Sequence, residues 1–175
     1  DEDLTAEFSL LCAGAYYLSD NVGSASVVAR RSDAPDLTLA GGLALVAHSL
    51  LRDDFSAIDA VFPHSEFARD LLDALLRFFN LTGDGTEVVQ LCASLRQTVY
   101  LTGDARSLFY ADLVTALCGR KMGQAARSIV PPTSNLPLSA WLPALQKQHF
   151  PHELWPAQRR ICEFGTLTGR SAVVQ

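Results

Sequence analysis

Six large apolar side chains, Phe67, Leu71, Leu72, Leu75, Leu76 and Phe79, recur at intervals of three and four and therefore fall on one broad face of a helix. The same spacing returns along most of the chain. Leu4, Phe8, Leu11, Ala15 and Leu18 predict a helix over 4–18, and Ala25, Val28 and Ala29 a second over 24–31, with Arg30 and Arg31 as cations suited to a helix C-terminus. A third helix is predicted over 37–51, a short one over 55–62, and one that Thr86 can cap, carrying Val88, Val89, Leu91, Cys92, Leu95 and Val99. Another runs from Leu108 through Leu117, with Gly119 or Gly123 as its end. Turn residues separate these segments, so the expectation is a mostly α domain built from helical hairpins.

Ala40, Gly41 and Gly42 lie inside the third predicted helix and have almost no side-chain bulk. Each glycine costs a helix about 1 kcal/mol relative to alanine, which close approach of a neighbouring helix would offset. Tyr17-Leu18-Ser19-Asp20 with Ser24 is echoed by Tyr100-Leu101-Thr102-Gly103 with Ser107, each at a helix-turn-helix junction. Recurring hairpins of this kind suggest tetratricopeptide-like packing. The spacing is irregular, however, without a full 34-residue consensus, and convergent turn chemistry is the simpler account.

At 175 residues and 49% hydrophobic, the chain can bury one substantial core. Its net charge of −5 argues against a broad cationic surface for nucleic acid. Cys12, Cys92, Cys118 and Cys162 are too dispersed for a Cys-x-x-Cys metal site and read as reduced, buried thiols. No secretion signal or membrane-length apolar run is visible, so a cytoplasmic protein with no membrane partner is expected. Asn80-Leu81-Thr82 fits a glycosylation sequon but reads as a helix end.

Three prolines within 131–137 predict a linker, dividing the chain into a helical domain over 1–130, a linker over 131–138 and a final part over 139–175. In that part Ser139 can cap a helix reaching His149, with Trp141, Leu142 and Leu145 apolar. Pro156 suits the first turn of a further helix, Gly165 can end it, a turn contains Gly169, and 171–175 predicts a buried strand.

Leu154-Trp155-Pro156-Ala157-Gln158, followed by a helix and by Leu167-Thr168-Gly169-Arg170-Ser171-Ala172-Val173-Val174, resembles the lead-in to the motor core of superfamily 2 (DExD/H-box) helicases, particularly their Ski2-like and related branches. The strict DEAD-box form, with Gly-aromatic and Pro-Thr before the glutamine, is not met. The resemblance covers about the last 25 residues. It implies that Gln158 reads adenine, since a side-chain amide can pair with both N6 and N7 of that base, with Leu154 or Trp155 against the base face. It further implies the first helix and strand of a RecA-like α/β core, with the phosphate loop falling just beyond Gln175. The full-length parent would then be an ATP hydrolase using Mg, moving along or unwinding DNA or RNA, as in helicases of DNA repair or antiviral defence. The helical part would regulate the motor or dock a protein partner. This chain alone is expected to be inactive and to bind neither ATP nor Mg. The rival expectation is a free-standing helical interaction module without catalysis.

The sequence has no Gly-x-x-x-x-Gly-Lys-Ser/Thr, Asp-Glu-x-Asp/His or His-Glu-x-x-His. His149 and His152 beside Glu153 could in principle share a metal, but a proline-broken loop without a clear third ligand argues against it. His48 and His64 read as ordinary helix and capping positions, and Asp53-Asp54 as a solvated helix end. Arg120, Lys121 and Arg127 read as helix C-terminal or solvent-facing charge, while Arg159 and Arg160 lie near the expected nucleotide side.

Overall fold

A computed structural model describes residues 2–34, 39–54, 66–147 and 151–171. Among them the secondary structure is helical, with nine α-helices, two 3₁₀ turns and no strand. The first two helices, α1 (Glu2–Leu18) and α2 (Val22–Arg31), pack on one another. Ala25 and Ala29 are the buried residues of α2, and their small size lets it lie close against Leu10, Ala13 and Tyr17 of α1 within the shared core.

The centre of the molecule is α3 (Leu43–Arg52), in which every residue from Leu43 to Leu51 is buried. A helix buried on all sides must be enclosed by others, and α3 touches α1, α2, α4 (Glu66–Phe79) and α6 (Ala105–Gln124). The glycine pair before it corrects the expected helix. Ala40, Gly41 and Gly42 have φ of 50°, 62° and 87°, so they form a left-handed turn that breaks the chain before Leu43. Glycine adopts this conformation without a Cβ clash, and that requirement explains the pair better than a close helix approach.

The apolar series from Phe67 to Phe79 lies on α4, where Ala68, Leu71, Leu72, Ala74, Leu75 and Phe78 are buried. The helix ends at Asn80 as expected. Leu81 turns left-handed, while Thr82 and Gly83 donate their N–H groups to the Arg77 carbonyl. Arg127 closes this end by donating to the carbonyls of Phe78 and Gly83, with its guanidinium 4.4 Å above the Phe78 ring.

Helix α5 (Thr86–Thr102) packs between α4 and α6. Thr86 is its first residue rather than its cap, and its N–H is accepted by the Asp84 carboxylate at 3.0 Å. Asp104 caps α6 by accepting from the Ser107 N–H at 2.9 Å. α6 passes through both Gly119 and Gly123 without ending, because tertiary packing along Leu113, Val114, Leu117 and Cys118 outweighs their weak helix propensity.

Residues 131–134, expected as linker, are helical. α7 (Ala126–Ser134) contains Pro131 and Pro132. Each proline removes one N–H from the helical ladder, and nearby hydroxyls satisfy carbonyls of this turn. Thr133 donates to Ile129 O at 2.7 Å, and Ser134 donates to Pro131 O at 2.9 Å. Ser134 in turn accepts from the Trp141 indole at 2.7 Å, tying α7 to α8 (Leu138–Leu145). α8 stops short of the expected His149, which lies outside the described residues.

Finally, α9 (Pro156–Glu163) begins at Pro156 as expected, and Gly165 and Gly169 follow with φ of 80° and 91° on either side of a 3₁₀ turn at Thr166–Thr168. Ser171 is not in a strand, and the rest of the expected strand, like the helix predicted over 55–62, lies outside the described residues. Ala126, Val130, Leu145, Leu154 and Cys162 form a second apolar cluster beside the main core. The four cysteines are free thiols.

Two stability effects follow. Leu71→Ala, at a fully buried site, is expected to cost about 3 kcal/mol in urea unfolding. His48 on α3 is 3% exposed and its Nε2 has no partner. Burial, with Arg52 nearby, holds its pKa below 6.5. The unfolded chain therefore binds the proton first, and the melting temperature should drop as pH falls from about 7.5 to about 5.5. His48→Asn should flatten that slope.

Candidate functional site

Leu117, Lys121 and Gln124 lie three and four residues apart on α6, so the apolar face of the helix continues directly into two polar side chains. Lys121 is 1% exposed. An ammonium taken out of water needs close opposite charge, and it donates to Asp53 at 2.6 Å and to Glu153 at 3.0 Å. It also sits 5.3 Å from the centre of the Tyr17 ring. Glu153 accepts from the Tyr17 hydroxyl at 2.6 Å.

A second set of contacts adjoins the first. Arg120 donates to Asp20 at 2.8 Å, and Arg159 on α9 donates to the same carboxylate oxygen. Oriented by its surroundings, the Gln124 amide donates to Glu153 at 2.7 Å and accepts from Arg159 at 3.1 Å and from Arg120 Nε at 2.8 Å. Asp20, Asp53 and Glu153 thus balance Arg120, Lys121 and Arg159. Main-chain bonds run beside them. Leu154 N–H donates to Gln124 O at 3.0 Å and Ala126 N–H donates to His152 O at 2.9 Å, making an isolated antiparallel bridge between Ala125 and Glu153.

The acids arrive from helix ends. Asp20 follows α1 with φ of 70°, and Asp53 caps the C-terminus of α3 with φ of 55°. Aspartate tolerates this left-handed region better than most residues, so the same side chains that turn the backbone also supply the charge.

These surroundings fix the protonation states. Burial alone would push Lys121 down, yet Asp53 and Glu153 carry it above its ordinary value. Burial together with Glu153 drives the Tyr17 phenol far above its usual range. Burial works to raise Asp20, but the hydrogen bonds and charges of Arg159 and Arg120 hold it below the usual carboxylate value. A lysine kept cationic and a tyrosine kept neutral are poor general bases and poor nucleophiles. The arrangement acts as a charge-balanced joint between α1, α3 and α6 on one side and residues 152–159 on the other.

Beside the joint lies a cavity of about 370 Å³, lined by Arg30, Asp53, Phe79, Lys121, Glu153 and Trp155 among others. Two of the three residues expected to read a base border it, Leu154 and Trp155; Gln158 does not. Leu154 is 5% exposed and belongs to the second apolar cluster, whereas Trp155 is 57% exposed. Gln158 is exposed, and its Oε1 accepts from the Trp155 N–H at 2.9 Å, closing the first turn of α9. A carbonyl oxygen has two lone pairs, so this bond leaves one acceptor site and both amide protons of Gln158 available. The adenine edge fits that donor and acceptor set. The sequence motifs for a phosphate cradle or magnesium are not in the chain.

Several expectations need correction. Lys121 is the most enclosed charge of the joint rather than solvent-facing, and Arg159 is paired with Asp20. Asp53, expected to be only solvated, pairs with Lys121 while its side chain stays 68% exposed. His152 lies edge-on to Phe79, with ring centres 6.1 Å apart, and His149 is outside the described residues. Among the described residues no group of three or more His, Cys, Asp or Glu side chains is placed to hold a metal, and no helix is long and apolar enough to cross a membrane. Only the burial of Lys121 has a sequence signal, since it continues the series Val114 and Leu117; its partners have none.

No protein-family model, characterised protein or solved structure matches the chain significantly. Lys121→Met is expected to cost about 3 kcal/mol, because Glu153 keeps its burial and loses its cation. Asp53→Asn, with its largely exposed side chain, should cost under about 1 kcal/mol. Chemical denaturation of both variants measures the difference.

Proposed function

We propose that residues 154–171 belong to the adenine-reading lead-in of a superfamily 2 ATPase motor, and that the helices before them form an accessory domain that regulates the motor or docks a partner. The observation that carries this reading is local geometry around Gln158. The glutamine is the third residue of α9, Pro156 starts that helix, and an exposed Trp155 stands next to it. Gly165 and Gly169 then follow the helix, both with left-handed backbone, and Gly169 precedes Arg170 in the segment that carries the resemblance. The capping bond from the Trp155 N–H fixes the Gln158 amide and still leaves it a donor and an acceptor for N7 and N6 of adenine. Leu154 is turned into the second apolar cluster, which makes Trp155 the side chain to stack on the base.

In this reading the whole protein binds ATP and Mg, hydrolyses the nucleotide and moves on DNA or RNA. The residues of this chain contribute base recognition, and phosphate and metal chemistry belong to other segments. A second reading, a helical interaction module without catalysis, is favoured by the exposure of Phe8, Leu101 and Phe109, at 69%, 77% and 51%.

Gln158→Ala in the full-length protein separates the two. The helicase reading expects the KM for ATP to rise roughly tenfold and the preference for ATP over GTP to relax, because one bidentate base contact is lost. Nucleotide kinetics equal to those of the unaltered protein would overturn it.

A further inference from the structure

Glu153 and Arg159 stand immediately before and after the five residues 154–158, and both are held by side chains of the helical domain. Glu153 receives hydrogen bonds from Lys121 at 3.0 Å and Tyr17 at 2.6 Å, and Arg159 donates to Asp20. Gln124 touches both ends, donating to Glu153 and accepting from Arg159, while its carbonyl accepts from the Leu154 N–H. The segment carrying Trp155 and Gln158 is therefore gripped on each side by α1, its following turn, and the last turn of α6.

We propose that Asp20 and Lys121 are positioning residues for base recognition, and that through them the helical domain sets the orientation of Gln158. This inference rests on the reading of Gln158 as the adenine-sensing residue. Its physical content is that one end of the grip is buried and the other half-exposed. Lys121 is enclosed, so the Glu153 end is fixed. Asp20 is 46% exposed on its side chain and lies in the turn between α1 and α2, so the Arg159 end is the part that a change at the helical domain surface can reach. Releasing it frees α9 at its first turn, while the core contacts of α3 and α4 are untouched. A partner that engages the α1–α2 turn would then alter the affinity for the adenine base without contacting the nucleotide, as a coupling between two separate sites.

The test uses Asp20→Asn, which keeps the shape of the residue and removes the charge shared by Arg120 and Arg159. Hydrogen exchange of the full-length protein should show amides of 157–163 exchanging about fivefold faster, with α3 and α4 unchanged. The KM for ATP should rise by a similar factor with kcat unaltered, and Asp20→Glu should recover part of the loss. Unchanged exchange in 157–163 overturns the proposal. So does faster exchange with an unchanged KM, provided that Gln158→Ala raises the KM. If Gln158→Ala has no effect, it is the adenine reading that fails, and exchange alone then decides whether the joint holds the segment. Lys121→Arg serves as a second variant: it preserves the charge in a cavity shaped for an ammonium and should also speed exchange in 157–163 and raise the KM, with the end of α3 that Asp53 caps loosened as well.

Discussion

The ammonium of Lys121 sits where an apolar side chain would be expected, one turn beyond Leu117 on the face that α6 presents to the core. An ion in that position is tolerated only if its partners come to it, and they come from distant parts of the chain. Asp53 is 68 positions away and Glu153 is 32 positions away, while Tyr17, which shares Glu153, lies 136 positions from it. The end of α3, the body of α1 and the approach to α9 must therefore converge before the charge is satisfied. Hydrophobic contacts assemble the two apolar clusters, but they are indifferent to small rotations of one against the other. Charge-assisted hydrogen bonds are directional, and they give the junction a single geometry.

Around that point the division of labour is simple. α3 is the buried axis, α1, α2, α4 and α6 cover it, and α5 completes the layer against α4 and α6. α7, α8 and α9 form a smaller apolar group, linked to the first by α6 running into α7 and by the bridge between Ala125 and Glu153. The balance of three acids and three cations means that the joint adds directional bonding without adding net charge. In a chain already carrying −5, that matters for the compactness of the native state.

The helices were legible in the sequence because their signal is local. The Phe67 to Phe79 series, Pro156 at a helix start, and the glycines at 165 and 169 all appear where spacing puts them. Sequence and structure part where a local rule competes with packing. Spacing alone puts Gly41 and Gly42 inside a helix as small residues for a close contact, whereas a left-handed backbone is the reason for them. Pro131 and Pro132 suggest a break, but the helix runs through them, with Val130, Pro131 and Ser134 buried and Ser134 tied to Trp141. The charged joint was hardly legible at all. Lys121 beside Leu117 hints at a buried cation, but nothing near Glu153, Asp20 or Asp53 in sequence announces which of the chain's charges will meet it. The resemblance that points to Gln158 rests on neighbouring residues alone, whereas the contacts that tie Glu153 and Arg159 to the helical part exist only in three dimensions.

Asp20 and Asp53 each meet two demands at one position, a backbone with positive φ and a carboxylate aimed at a cation. Asparagine meets the first and glutamate the second, and only aspartate meets both without strain. The two demands weigh differently at the two sites: asparagine at 53 keeps the turn and gives up only a largely exposed contact, whereas at 20 a single carboxylate oxygen serves both Arg120 and Arg159, so the demand for charge is the stricter one there.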